Sequence, residues 1–458
     1  MSSSVLSATL SSALLFATTI AVYAYWRCHD DSDTRDYTRD NGSSSSHDKK
    51  NKRESYEGIE LEPSPAITFA EALAFANESE SDHTNNNNNN NNNNSATKTP
   101  IFIDTRTPAE YREAHVWDAI NIPLMSDTQR HVIGKTYHHV GRRAAIALGW
   151  TMFSPLVQKY LQQFARYRGR RLFVYCWRGG MRSRIVTNLL LRSGYDAVQV
   201  TGGYKVYLNQ IVWRGLDQFA AHYPPRFIVL FGSTGTGKTE LLTRLSRVTD
   251  DGDGIHSKTS IPVIDLEGLA GHRSSVYGAV DLVQASQKMF SIGLYHKLHR
   301  FRNEPYIFLE GEAHKVGNVH IPTFLQERIA GEHGTIKILI TASMERRVAL
   351  LKNEYLKTPD SVKQIRQATE TVRKYIGNKH ADHLQALLDV GDYGTFTEWL
   401  LVNHYDANYR CHKQGHDYAL TASSDDMGAC CAQLKTFYRN LLTNDQRRYN
   451  NGSSQPVS

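Results

Sequence analysis

The chain has 458 residues, carries 53 Lys and Arg against 46 Asp and Glu for a net charge of +7, and is 40% hydrophobic. That length excludes a peptide and predicts two or three folded units, while 31 Gly and 13 Pro exclude a collagen-like or Pro-rich fibre. The five scattered cysteines, Cys28, Cys176, Cys411, Cys430 and Cys431, exclude a disulfide framework and predict a reducing compartment, and the basic balance predicts an anionic partner such as nucleic acid or anionic lipid.

In chain order, the first feature is a run of 22 uncharged residues from Val5 to Trp26, closed by Tyr23, Tyr25, Trp26 and Arg27. It has the length of one membrane-spanning helix, and this reading gives a membrane anchor at residues 5–26. Arg27, Arg35, Arg39, Lys49 and Lys50 follow the run and none precedes it, which leaves the remaining domains in the cytosol. The alternatives are a removed organelle-targeting segment, or a cytosolic chain with an incidental apolar stretch. Polar residues complete a disordered tether over 1–63. The stretch from Ile67 to Leu73 predicts a strand turning into a helix, and residues 77–99, with ten consecutive asparagines from Asn85 to Asn94, read as an insertion in a first domain at 64–222.

Ile101–Asp104 and Arg171–Tyr175 read as strands, and the second ends directly at Cys176. Trp177-Arg178-Gly179-Gly180-Met181-Arg182-Ser183 follows, and then a helical stretch from Ile185 to Leu191. Alternation of strands and helices predicts an α/β sheet, with the cysteine in a glycine-containing loop between a strand end and a helix amino terminus. Backbone N–H groups and the helix dipole there favour an anion and a thiolate, and Arg178 and Arg182 add positive charge. Cys176 is therefore the expected nucleophile, with Arg178 and Arg182 beside it. Together with Asp104-Thr105-Arg106-Thr107-Pro108-Ala109-Glu110-Tyr111, His115 and Ala119-Ile-Asn-Ile-Pro123, this loop resembles the rhodanese family, whose cysteine carries sulfur or selenium. The Cys176-x5-Arg182 spacing is also that of cysteine phosphatases, although Tyr175 stands where that reading wants a histidine.

Pro224-Pro225 opens a second domain at 223–443, before a polar tail at 444–458 expected to be disordered. Arg226–Phe231 reads as a buried strand running into Gly232-Ser233-Thr234-Gly235-Thr236-Gly237-Lys238-Thr239, a complete G-x4-G-K-T phosphate loop, and then into a helix. The glycines expose amides to phosphates, Lys238 neutralises charge, and Thr239 offers a hydroxyl to Mg²⁺. Asp265 and Glu310 end candidate neighbouring strands and are expected to line this nucleotide or diphosphate site, with Glu267 and Glu312 close behind. Asp265 with Thr239 is the expected metal pair, although spacing alone does not choose among the acids.

The combination of the two halves resembles tRNA 2-selenouridine synthase. The resemblance rests on Pro123–Asp127, Arg130–Gly134, Cys176–Ser183, Gly202–Lys205, Asp265–Arg273 and Gln284–Gln287. It implies exchange of the sulfur of a wobble 2-thiouridine for selenium through an S-geranyl intermediate. Geranyl diphosphate and selenophosphate would be co-substrates, the latter from a selenophosphate-supplying enzyme, and the anticodon region of tRNA would be the partner. ATP or another nucleotide would satisfy the same phosphate loop. Two departures stand out: Ser274 where the family has glycine after His-Arg, and Glu312-Ala313-His314 where it has Glu-Ser-Arg.

Basic and aromatic residues mix in Arg166–Arg171 and Lys288–Arg302, either as tRNA contacts or as solvated surface. Asn403–Tyr409 matches a family segment, and Cys411, His412 and His416 lack a zinc-finger pattern. Two rival readings remain at this stage. One is a cysteine phosphatase fused to a nucleotide-binding module, and the other a membrane-tethered P-loop regulator.

Overall fold

The computed structural model describes residues 63–76, 99–247, 260–311, 314–407 and 417–452. The expected anchor, most of the tether, the asparagine run, Glu312 and the Cys411–His416 group lie outside these residues. The expected membrane anchorage is corrected: among the described residues no helix is long and apolar enough to cross a membrane. No apolar amino-terminal helix is part of the described fold.

Two parallel five-stranded sheets organise the chain. The first contains β1 (Ala66–Ile67), β2 (Ile101–Asp104), β3 (Ile120–Asn121), β4 (Leu172–Tyr175) and β5 (Ala197–Val200), in the order β1-β5-β4-β2-β3. Every residue of β2 and β4 is buried, as expected for parallel strands covered on both faces, and Asp104 stands level with Tyr175. The second contains β6 (Arg226–Phe231), β7 (Val263–Ile264), β8 (Tyr306–Glu310), β11 (Ile336–Thr341) and β12 (Leu420–Ser423), in the order β12-β11-β6-β8-β7. A small hairpin, β9 (Lys315–Val316) with β10 (Val319–His320), lies between. The predicted strand-to-helix turn after Ile67 is present, with helix at 69–76. The last helix runs Met427–Gly452, so residues 444–452 continue a helix rather than begin the expected tail.

Four helices between Met344 and Leu400 form a satellite layer around Tyr277, Tyr355, Ile365, Leu384 and Phe396. Their caps are local and strong. Ser343 accepts the Arg346 N–H, and Thr358 with Ser361 forms a capping box ahead of Pro359.

Each sheet has a core of its own on one face, around Ile103, Val174 and Leu190 in the first and around Leu230, Phe308 and Ile338 in the second, and the two share a third on their other faces. Phe69, Phe102, Tyr175, Tyr207 and Val212 from the first half pack in one continuous cluster with Phe227, Leu266, Phe290 and Leu294 from the second. A helical run over Gly203–Val206, Tyr207–Trp213 and Arg214–Ala221, π-wound in its middle, carries the chain from one to the other. It crosses the helix Gln287–Arg300 closely, because a Cβ on Gly215 would stand only 2.3 Å from the Tyr295 ring. Glu113 of the first half also pairs with Lys288 and accepts the Ser286 hydroxyl of the second.

At this joint the Tyr207 hydroxyl accepts the Trp117 N–H at 3.3 Å and meets His296 Nε2 at 2.7 Å, while the His296 ring stacks near Trp117. Burial, helped by His299, pulls His296 down to about 4 from its ordinary 6.5. A neutral ring is thus built into the interface. Its folded pKa is depressed, so its contribution is complete above pH 6.5 and is lost as the pH falls towards 4. The expected loss is about 3 kcal/mol across that window. Urea melts at pH 7.5 and pH 4.5 should show it, and His296→Gln should remove that share of the slope, leaving the part carried by other partly buried histidines such as His115 and His299; an unchanged slope would refute the assignment.

Candidate active site

Cys176 closes β4 and is buried at 3% exposure. Its Sγ accepts the Gly180 N–H at 3.3 Å and lies 3.4 Å from Ser183 Oγ, so the thiol faces the first turn of the helix Met181–Arg192. That helix begins at Gly180 with no side-chain cap, which leaves its terminal amides for a ligand. Three supports fix the loop. Tyr204 and Lys205 donate backbone N–H groups to the carbonyls of Cys176 and Trp177, each at 2.9 Å. Gln199, almost fully buried, donates Nε2 to Gly179 O at 2.6 Å and to Ser183 Oγ at 3.1 Å.

Gly203 is the third support. Its φ is +58°, and a Cβ there would lie 2.3 Å from the Cys176 carbonyl oxygen and 2.4 Å from the Gly179 nitrogen. These neighbours are backbone and cannot swing away. Gly203→Ala is expected to destabilise the chain by about 2–4 kcal/mol and to expose Cys176. Thiol labelling should run faster, with a lowered melting temperature; wild-type labelling and stability would overturn the close-approach argument.

The arginines divide. Arg182 pairs with Glu110 at 2.8 Å, and Arg130 reaches the same carboxylate at 3.4 Å. Burial opposes ionisation of Glu110, but Arg182, then the Thr107 N–H and then Arg130 outweigh it and hold the carboxyl below its usual range. Arg178 is exposed and makes no ion pair among the described residues. Asp104 and Arg106 form a buried pair at 2.6 Å, Arg106 also donating to Ala114 O and lying 4.0 Å over the Tyr204 ring. They brace the sheet end under the loop. His115 stacks on Tyr111, and burial pulls its pKa down.

In the second half, β6 runs into the phosphate loop and then into the helix Lys238–Ser246. Gly235 and Gly237 have φ of +83° and +77°, while buried Ser233 and Thr236 brace the turn, Thr236 Oγ1 donating to Ser233 O at 2.9 Å. Lys238 Nζ donates to Gly232 O at 2.7 Å, folded across its own loop. Arg347 holds the Thr234 carbonyl through Nε at 2.9 Å and is itself gripped by Asp406 through two bonds of 2.8 and 2.7 Å. That bidentate clamp gives the Asn403–Asp406 segment a role in positioning the loop.

The acids are arranged differently from the expected pairing. Thr239 Oγ1 donates to Glu267 Oε2 at 2.8 Å, and the Glu267 N–H donates to Glu310 Oε1 at 2.7 Å. Asp265 instead caps its own helix by accepting the Gly268 N–H at 2.7 Å, and burial raises its pKa. Sequence reasoning named Glu267 only as a neighbour and missed Gln199 and Arg347. Of these, only Glu267 carried a signal, two residues beyond a strand-end acid.

The basic clusters are also placed. Arg166 and Arg168 stack over Tyr167 and Tyr195, and Arg171 pairs with Asp196 at 2.9 Å. Most of Lys288–Arg302 belongs to the helix Gln287–Arg300 at the joint, whose Phe290, Leu294 and Leu298 are buried, and Arg302 follows in the turn beyond its end.

A family model described as tRNA 2-selenouridine synthase AAA domain matches residues 225–438, and the rhodanese-like domain model matches residues 87–210. The tRNA 2-selenouridine synthase of Sulfurovum is 31% identical over 297 residues, covering 63% of this chain and 71% of that protein. The chain belongs to the tRNA 2-selenouridine synthase family. The Nitrosomonas europaea synthase is 36% identical over 231 residues, 49% of this chain and 56% of that relative, and the Hahella chejuensis synthase 29% identical over 339 residues, 67% and 84%. His272 Nδ1 is buried with no hydrogen-bond partner among the described residues, two positions ahead of Ser274. His314, where an arginine is expected, meets Gln326 Oε1 through Nδ1 at 2.6 Å.

Proposed function

We propose that this chain converts wobble 2-thiouridine of tRNA to 2-selenouridine, with geranyl diphosphate and selenophosphate as co-substrates. The observation that carries the reading is the Cys176 sulfur against the uncapped amino terminus of Met181–Arg192, joined through one core to a phosphate loop. In the first step the thiocarbonyl sulfur attacks C1 of the geranyl group, the C–O bond breaks, diphosphate leaves and the uridine N3 proton is released. The phosphate loop suits that diphosphate, with amides from Gly232 to Gly237 and the Lys238 ammonium neutralising it. ATP or another nucleotide would meet the same groups.

In the second step the Cys176 thiolate adds at C2, the C–S bond breaks and geranylthiol leaves with a proton. Selenium of selenophosphate then displaces the cysteine sulfur. Water cleaves the P–Se bond, leaving the selenocarbonyl and phosphate. The Cys176 loop amides and the exposed Arg178 suit the selenophosphate anion, whereas Arg182 acts through Glu110 to hold the loop's flank. A Mg²⁺ would find hard oxygen donors at Thr239 and Glu267, shared with substrate phosphates, and would neutralise the leaving diphosphate. Arg182 tied to Glu110 weighs against the phosphatase reading, which needs that arginine on the phosphate.

The test is nucleoside mass spectrometry of 2-thiouridine tRNA incubated with the full chain, geranyl diphosphate and selenophosphate. 2-Selenouridine formed only when both small substrates are present is the expected result. Absence of any new nucleoside with folded protein would sink the reading.

A further inference from the structure

A cavity of about 1220 Å³ opens beside the cysteine loop, between the helices Asp127–His139 and Arg142–Phe153 and the start of Met181–Arg192. Its volume exceeds the ~300–1,000 Å³ of ordinary small-molecule sites, far more than a selenophosphate anion fills. Its existence follows from the sequence of the two facing helices. Asp127–His139 buries none of its residues, and Arg142–Phe153 buries only Ala145 and Phe153. Gly134 and Gly149 present no side chain to the gap, and a Cβ on Gly134 would meet nothing within 4 Å. The apolar side chains that would normally close such a hairpin, Ile133, Ile146, Trp150 and Met152, therefore line open space.

The lining is chemically one-sided. No carboxylate lines the cavity, whereas Arg130, Arg142, Arg178 and Arg182 do, with Glu110 behind the wall as the counter-ion of Arg130 and Arg182. Met181 and Ile185, successive turns of the helix that begins at the cysteine loop, form its inner wall. A ligand filling it has a hydrocarbon body and an anionic end, and its anionic end emerges at the Cys176 loop. By contrast, the apolar cavity against Thr234 of the phosphate loop holds only about 40 Å³.

We infer that this cavity is the binding site for a branched hydrocarbon chain of about ten carbons carried on the nucleoside of RNA, held in the first domain for the selenium step after the diphosphate has left at the phosphate loop. The inference rests on the function proposed above for the identity of that chain, a prenyl group on the sulfur of the nucleoside. Apolar walls would hold the chain by burial, and the exposed Arg178 would meet RNA phosphate.

The test measures binding, which does not depend on turnover. A diazirine-bearing geranyl group is offered to the full chain on diphosphate and, separately, as S-geranyl-2-thiouridine in an anticodon stem-loop, and photo-labelled peptides are mapped. Label from the stem-loop within residues 124–156 or 178–185 is expected, and stem-loop label confined to the second domain overturns the inference. Titration should show the geranylated stem-loop binding about tenfold more tightly than its 2-thiouridine parent. Gly149→Leu and Ile146→Glu, checked by thermal melting, should erase that preference while leaving parent binding intact. Label at these residues from free geranyl diphosphate but not from the stem-loop also overturns it. An undiminished preference in both folded variants overturns the cavity assignment even if selenouridine is still made. A preference that the variants erase supports it even if no nucleoside is converted.

Discussion

Replacing Cys176 by serine is expected to lower 2-selenouridine formation by ~10³-fold or more while S-geranyl-2-thiouridine accumulates. The sulfur faces the Gly180 N–H and the uncapped start of the following helix, an environment that suits an anion. A serine hydroxyl fits that space but stays protonated at neutral pH, so the loop remains folded and the nucleophile is lost. Because the phosphate loop sits on the other sheet, geranyl transfer should continue. Nucleoside mass spectrometry reads both products in one sample. Full selenouridine formation by Cys176→Ser would remove the cysteine from the mechanism, and loss of both products would contradict the division of labour.

Lys238→Ala should give the complementary pattern. Its ammonium, now bonded to Gly232 O, is the cation that a bound diphosphate would draw away from the loop carbonyl. Without it, the amides of Gly232–Gly237 meet the developing charge of the leaving diphosphate alone, and geranyl transfer is expected to fall ~10²–10³-fold. Neither product should then appear from 2-thiouridine tRNA. Supplying RNA that already carries S-geranyl-2-thiouridine should restore selenium incorporation to near wild type, since Cys176 and its loop are untouched. If the pre-geranylated substrate fails as well, the phosphate loop serves both steps or holds the RNA itself.

Residue patterns carried the two loops because each depends on contiguous chemistry. A strand running into Gly232–Thr239 and a strand running into Cys176 are readable wherever they occur, since amide-lined turns need their glycines in order. What joins the loops to their supports was not readable. Gln199 reaches Gly179 across 20 positions, and Arg347 reaches Thr234 across 113, so neither leaves a local mark. The choice of Glu267 over Asp265 at Thr239 turns on which carboxylate caps the short helix that both acids flank, a matter of two residues and one rotation. The cavity was invisible for a different reason: Gly134 and Gly149 fall in separate helices, and only their facing makes an absence of side chains into a space. Val5–Trp26 shows the opposite hazard, an apolar run whose length alone suggested an anchor and which lies outside the described residues.

The core shared by the two sheets has a genetic consequence. A breakpoint near Pro224-Pro225 would leave Phe227, Leu266, Phe290 and Leu294 on one polypeptide and Phe69, Phe102, Tyr175 and Tyr207 on the other, each half with its apolar face turned to water. Each fragment would keep the cluster on the other face of its own sheet, so a cut chain is expected to give two halves that associate again through the exposed faces. One reading frame keeps those two faces at a high effective concentration, which is what the fusion contributes to the joint.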